Sequence, residues 1–131
     1  MHTIYADKKK NRLYLTLDDV IEEDIPLVIK NIAKEVDQLQ NDFSCLVDIR
    51  NLRLTFTDKE ADYINIIQGA LKDSGMSKVV RVVGEESFNK FTHSKMNEQS
   101  RNIGYEAIAV ATLKEAEAIL DDYKSSPSIL K

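Results

Sequence analysis

The sequence predicts a single α/β domain in which four helices pack on a mixed, five-stranded and mostly parallel sheet, in the order ββαβαβαβα. Apolar residues recur at two spacings, every second position in short segments and every third or fourth position in longer ones, which are the periods of strands and helices. Hydroxyl residues precede several of the longer segments and glycines follow them, as is typical of helix ends. Strands joined through helices are nearly always parallel, and 131 residues suit one domain.

Two short strands are expected to form an antiparallel hairpin at the start of the domain. In the second strand, Arg12–Leu17, the leucines at positions 13, 15 and 17 alternate with more polar residues, which predicts one strongly apolar face. The first strand covers residues 3–6. The polar link between the two strands is too short for the crossover that a parallel pair would need.

A long helix and a doubly covered strand are predicted next. Residues 23–40 carry apolar side chains at helical spacing. Asp24 is the expected N-cap, and Pro26 lies in the first turn, where its missing N–H has no partner to lose. Residues 44–49 are apolar without alternation, which is typical of a strand that is buried on both faces.

A second helix and another parallel strand follow. Thr57 and Glu60 form a capping box, which predicts a helix over residues 58–73. Gly75 suits the left-handed residue that often ends a helix. The valine-rich run 78–83 predicts a strand, because β-branched side chains favour extended backbone.

The last three elements are a helix, a strand and a helix. Ser87 is the expected N-cap of the third helix, in which Phe88 and Phe91 are expected to face inward. Residues 107–111 form the last strand, and the fourth helix completes the domain. The predicted limits are 1–123 for the domain and 124–131 for a flexible C-terminal tail.

Composition limits the classes of function. A net charge of −4 disfavours a broad nucleic-acid-binding face, and no run approaches the ~20 apolar residues of a membrane span. The one cysteine, Cys45, cannot form an intramolecular disulfide and is expected to be a small buried side chain, which favours a reducing cytoplasm. His93 has no partner at metal-ligand spacing and no catalytic motif is recognisable, so we expect no metal, no cofactor and no enzymatic activity.

The order of elements, with the run Leu-Val-Asp-Ile-Arg at residues 46–50 and a capped helix shortly after it, resembles the STAS superfamily. The founding members of that superfamily are bacterial anti-sigma-factor antagonists. The likeness is greater to divergent STAS-like bacterial proteins, which share a fold with lipid-binding CRAL-TRIO domains. It covers about residues 2–123 and implies a non-enzymatic module for protein–protein interaction.

In the antagonists, a partner kinase phosphorylates the second serine of an Asp-Ser-Ser-Gly segment where the second helix begins. The corresponding residues here, 56–59, are Phe-Thr-Asp-Lys, which place Asp58 at the phosphoserine position. A carboxylate cannot accept phosphate by the same chemistry, so this resemblance does not extend to a phosphorylation switch. It does imply that the second helix is the element that meets a partner.

Four polar side chains lie in the loop before the second helix or at its start: Arg50, Arg53, Thr55 and Thr57. Helix N-termini and the carboxyl ends of parallel strands meet at one edge of a sheet, so these groups could together hold a phosphate or carboxylate. Such a site would make the protein a carrier of a lipid or an anionic metabolite. The alternative is that the arginines are solvated and that Thr57 only caps its helix.

The second helix carries more apolar surface than one face can bury. Beside its main stripe, Tyr63, Ile66 and Ala70 form a second one. This second stripe either widens the contact with the domain or meets another molecule. The predicted partner surface therefore consists of Asp58, Tyr63 and Ile66, with another protein or a second copy of the chain as its occupant.

Overall fold

The computed structural model describes residues 2–19, 21–54 and 57–129, with residues 123–129 described by their backbone alone. The predicted class is confirmed, because the chain forms one mixed sheet and four helices in the expected order. The strands are β1 (His2–Asp7), β2 (Arg12–Leu17), β3 (Ser44–Asp48), β4 (Lys78–Val82) and β5 (Ile108–Val110). The helices are α1 (Ile25–Val36), α2 (Asp58–Asp73), α3 (Ser87–Arg101) and α4 (Leu113–Ile129).

The five strands lie in the sheet in the same order as along the chain. β1 pairs antiparallel with β2, and the remaining three pairs are parallel. At the centre of the sheet Leu13 lies beside Cys45, and Cys45 lies beside Val79. Because neighbouring residues in register point the same way, these three side chains share one face of the sheet.

Helices cover both faces of the sheet. The face of Leu13 and Cys45 packs against α1, α2 and α3, which bury Ile32, Ile64 and Met96 respectively. The opposite face packs against α4 in a second apolar cluster, formed by Leu46, Val80, Val82, Ala116 and Leu120. β3 is therefore buried on both sides, as its uninterrupted apolar run predicts, and Cys45 is a fully buried side chain.

Ionic and hydrogen-bonding contacts also hold α4 on the sheet. Arg12 projects from β2 and forms ion pairs with Glu117 and, at 2.9 Å, with Asp121. Its Nε donates to the hydroxyl of Ser44 at 3.1 Å. The hydroxyl of Tyr14, on the same face of β2, donates to Oε2 of Glu117 at 2.7 Å.

Local signals set the two ends of α2. The hydroxyl of Thr57 accepts the backbone N–H of Glu60 at 3.3 Å, and the carboxylate of Glu60 accepts the backbone N–H of Thr57 at 3.4 Å. This is the predicted capping box. After the helix, Gly75 has a φ of +101°, and a Cβ there would collide with the side chain of Asn41, so the position requires glycine.

The starts of α1 and α3 differ from the prediction. A 3₁₀ turn, Glu22–Asp24, precedes α1. Asp24 makes no capping hydrogen bond, because its own backbone is helical, with φ −85° and ψ −17°, whereas a capping side chain acts from extended backbone. Ser87 is already the first residue of α3, and Glu86 occupies the N-cap position without a side-chain hydrogen bond.

The inward face of α3 is also predicted wrongly. Phe88 and Phe91 are 39% and 53% exposed. The buried residues of the helix are Asn89, Thr92, Met96 and Ser100, a stripe one position further along the chain. Polar side chains occupy most of this stripe, and one of them, Asn89, accepts a hydrogen bond from Arg53.

The last helix is longer than predicted. α4 continues to Ile129, whereas the sequence places the start of a tail at residue 124. Residues 130 and 131 lie outside the described residues. The flexibility of the segment 124–131 stays a prediction.

Candidate functional site

The predicted anion-binding residues surround the loop between β3 and α2. Asp48 ends β3 and accepts two hydrogen bonds from the guanidinium of Arg50, from Nε at 3.0 Å and from Nη2 at 2.8 Å. The backbone N–H of Arg50 donates to the same carboxylate at 3.1 Å. Hydrogen bonding to Asp48 raises the pKa of Arg50, although burial opposes the effect. The charge of Arg50 is thus neutralised within the chain.

Arg53 connects the loop between β3 and α2 to the start of α3. Its Nη1 donates to Oδ1 of Asn89 at 2.9 Å and to the carbonyl oxygen of Arg50 at 3.1 Å, while its Nη2 lies 3.2 Å from the carboxylate of Glu86. The guanidinium also lies 5.5 Å from the ring centroid of Phe88. Asn89 returns a hydrogen bond of 2.8 Å to the carbonyl oxygen of Arg50.

The structure brings Arg50, Arg53 and Thr57 to the same rim of the sheet, but each has an intramolecular partner there. Two carboxylates lie beside the two arginines, so a bound anion would compete with Asp48 and Glu86 for them. Thr55 lies outside the described residues. The anion site stays a prediction.

The second apolar stripe of α2 faces the domain at some positions and solvent at another. Tyr63 and Ala70 are partly buried and pack against the main core. Ile66 is 50% exposed, and Asp58, in the first turn, is exposed. The stripe therefore widens the internal contact at two positions and leaves one large apolar side chain facing outward.

Sequence reasoning missed a buried polar cluster around Arg81. Strand alternation places Arg81 on the face of the sheet that α2 and α3 cover, where only 1% of the residue is exposed. Its Nη2 donates to Oε1 of Gln68 at 2.6 Å, and its Nη1 donates to Oδ1 of Asn97 at 2.6 Å. Nδ1 of His93 lies 3.3 Å from Nη1. The hydroxyl of Tyr105 donates to the same oxygen of Gln68 at 3.1 Å.

The electrostatics of the Arg81 cluster follow from burial. Loss of hydration lowers the pKa of Arg81. The same effect, together with the nearby charge of Arg81, lowers the pKa of His93 to about 4, so this imidazole is neutral at pH 7. Burial raises the pKa of the Cys45 thiol to about 12, which leaves it unreactive. The cluster therefore contains one cation among neutral groups.

A small cavity adjoins this cluster. Arg81, Gln68 and Tyr105 form the polar part of its wall, and apolar side chains that include Val47, Val79 and Met96 form the remainder. The cavity has room for about one water molecule. A lipid or sugar phosphate does not fit into a space of this size.

One signal in the sequence pointed to this cluster. Arg81 interrupts a run of valines, and its partners on α3, His93 and Asn97, are polar residues one helical turn apart. A helix that packs on a sheet normally presents an apolar stripe. A helix that lacks this stripe is therefore expected to cover a buried polar group of another element.

Within residues 2–19, 21–54 and 57–129, no helix combines the length and the apolar character that a membrane span requires. In the same part of the chain, no three His, Cys, Asp or Glu side chains are grouped so that they could hold a metal ion. No protein-family model matches the chain, and a comparison with curated proteins finds no relative.

Proposed function

We propose that the protein is a non-enzymatic interaction module of STAS-like type, which binds another protein or a second copy of itself through α2 and the loop before it. The observation that carries this proposal is the 50% exposure of Ile66 in the middle of a helix whose other isoleucines are buried. About half of this apolar residue is left uncovered by the domain. It is suited to burial against another molecule.

The neighbouring helix also exposes large apolar side chains. α3 packs beside α2 through the hydrogen bond from Gln99 to the carbonyl oxygen of Ala61, at 2.9 Å. On its outer side α3 exposes Phe88 and Phe91, and exposed aromatic side chains are enriched at protein interfaces. Cations lie over both rings, Arg53 at 5.5 Å and Lys95 at 5.6 Å from the centroids. Both helices therefore present apolar side chains that a partner could cover, and on α3 cations lie beside them.

A carrier function has less support from the geometry. The rim arginines are paired with Asp48 and Glu86, and the cavity inside the domain has room for about one water molecule. An enzymatic function has less support still. A general base works best with a pKa near the operating pH, and the pKa of His93 is about 4.

The test compares Ile66→Asn with Leu27→Asn. Leu27, on α1, is also 50% exposed, so the control removes the same apolar character from a different helix. Sedimentation velocity over a range of protein concentrations measures self-association, and affinity capture with each variant as bait measures association with other proteins. We expect Ile66→Asn to weaken association at least tenfold and Leu27→Asn to leave it unchanged.

Both variants should unfold at midpoints close to that of the unmodified protein, because neither residue is in the core. Equal association of the unmodified protein and Ile66→Asn in both assays would show that α2 is not the interaction surface. Co-purified small-molecule mass in native mass spectrometry would instead favour the carrier function.

A further inference from the structure

Arg81 is a buried cation for which the described residues offer no counter-ion. None of their carboxylates forms an ion pair with its guanidinium, and its Nε–H has no hydrogen-bond partner, although the atom is inaccessible to solvent. The hydrogen bonds that Arg81 does make go to the neutral side chains of Gln68 and Asn97.

This arrangement is unusual for physical reasons. Most buried charges are paired, because removing an ion from water is costly and neutral dipoles replace only part of its hydration. A buried N–H without an acceptor adds a further cost. The missing counter-ion and the missing acceptor concern the same side chain, that of Arg81. This side chain also forms part of the wall of the cavity.

We propose that this cavity is a binding site for a single small monovalent anion of about the size of chloride, held by the guanidinium of Arg81. An anion there supplies the negative charge that the guanidinium lacks among the described residues. Gln68 and Tyr105, which share a hydrogen bond of 3.1 Å, border the same space and complete the polar side of the site.

Size and charge together select the ligand. The cavity has room for about one water molecule. A halide is only slightly larger, whereas sulfate, phosphate and organic carboxylates are considerably larger. A water molecule in the cavity would leave the charge of Arg81 uncompensated. The otherwise apolar wall, with Val47, Val79 and Met96, suits a weakly hydrated monovalent ion better than a strongly hydrated one.

The first experiment measures thermal unfolding in sodium chloride and in sodium gluconate at equal ionic strength. An ion that binds only the folded protein raises the unfolding midpoint with the logarithm of its concentration. Above the dissociation constant we expect a rise of about 5 °C for each tenfold increase in chloride. Gluconate, which is too large for the cavity, should produce no such rise. Equal effects of the two salts would refute the proposal.

Matched variants locate the site. Val79→Ile and Val47→Ile each add one methyl group to a side chain that borders the cavity, and Val80→Ile adds the same group to the opposite face of β4. We expect the two former variants to lose the chloride-specific rise and Val80→Ile to retain it. Retention of the full rise in both cavity variants would exclude this cavity as the site.

Crystals grown in sodium bromide give a direct readout, because bromide scatters anomalously. The expected result is one anomalous peak in this cavity, beside the guanidinium of Arg81. A cavity without such a peak, in a protein whose unfolding midpoint does not distinguish the two salts, would mean that water alone meets the needs of Arg81. This outcome is independent of the interaction surface on α2, since Ile66→Asn leaves the cavity intact.

Discussion

Two arginines are buried in the sheet of this protein, on opposite faces and in very different surroundings. Arg12, in β2, is fully buried beneath α4 and forms ion pairs with Glu117 and Asp121. Arg81, in β4, is buried equally well beneath α2 and α3, but among the described residues it donates to uncharged acceptors. The same residue type is thus accommodated in two ways within one sheet.

The pKa values show what this difference means for the charge. Burial opposes the charge of Arg12, but hydrogen bonds and the nearby carboxylates outweigh it, and the pKa of Arg12 is raised. Around Arg81 the loss of hydration dominates, and the pKa of Arg81 is lowered. Arg12 therefore stabilises the packing of α4, whereas no carboxylate of the described residues compensates the charge of Arg81.

Substituting both arginines by methionine should produce the largest effects and should separate their roles. Arg12→Met removes two ion pairs, and we expect it to lower the free energy of unfolding by about 3 kcal/mol. Arg81→Met should cost less, about 1–2 kcal/mol, because the penalty for burying its charge disappears with it. The oxygens that it leaves also keep other donors, since Tyr105 still donates to Gln68 and the N–H of Ala107 to Asn97.

Urea unfolding measures both changes, and hydrogen exchange locates them. Arg12→Met should increase exchange in the backbone of α4 and leave α2 unaffected. Arg81→Met could instead be the more destabilising variant. That result would mean that the neutral partners of Arg81 stabilise it more than the carboxylates stabilise Arg12. The conclusion that Arg12 is the better compensated of the two arginines would then be wrong.

The sequence predicted those features that depend on neighbouring residues. The capping box of Thr57 and Glu60 and the apolar run of β3 are local patterns, and the structure confirms both predictions. The prediction for the inward face of α3 is wrong, because Phe88 and Phe91 favour burial if the helix is considered alone. That Asn89 is buried instead depends on Arg53, which is distant in the chain and reaches α3 only in the folded domain.

In the candidate sites, too, the sequence predicts local features but not the contacts between residues that are distant in the chain. The sequence placed Arg50 and Arg53 at one rim, but their pairing with Asp48 and Glu86 emerges from side-chain geometry. The structure confirms the prediction that Arg81 belongs to a strand. Its partners come from α2 and α3, and no local pattern specifies that they converge on it.

The next largest effect concerns acid stability and tests whether Arg81 keeps its charge. His93 takes up a proton near pH 6.5 when unfolded and only near pH 4 when folded. Between these values the unfolded state binds more protons, so the free energy of unfolding falls as the pH is lowered through this window. Because His93 is only partly buried, the full loss should be about 1–2 kcal/mol.

Urea unfolding at a series of pH values measures this slope. The variant His93→Gln should lose most of it, and the variant His2→Gln, which removes the other histidine of the chain, should retain it. Arg81→Met should also reduce the slope, because the charge that disfavours protonated His93 is gone. An unchanged slope in Arg81→Met would indicate that burial alone sets the pKa of His93.

The smallest effect comes from two tyrosines, each of which donates a hydrogen bond beside one of the arginines. Tyr14 donates to the carboxylate of Glu117 at 2.7 Å, and Tyr105 donates to the neutral oxygen of Gln68 at 3.1 Å. Because hydrogen bonds to charged groups are stronger, Tyr14→Phe should cost about 1 kcal/mol and Tyr105→Phe about 0.5 kcal/mol in urea unfolding. Both substitutions preserve the ring, so the two losses compare the hydroxyl contacts alone. A larger loss for Tyr105→Phe would mean that the hydroxyl also interacts with a charge in the cavity, and in that case the loss should depend on chloride, as the anion site requires.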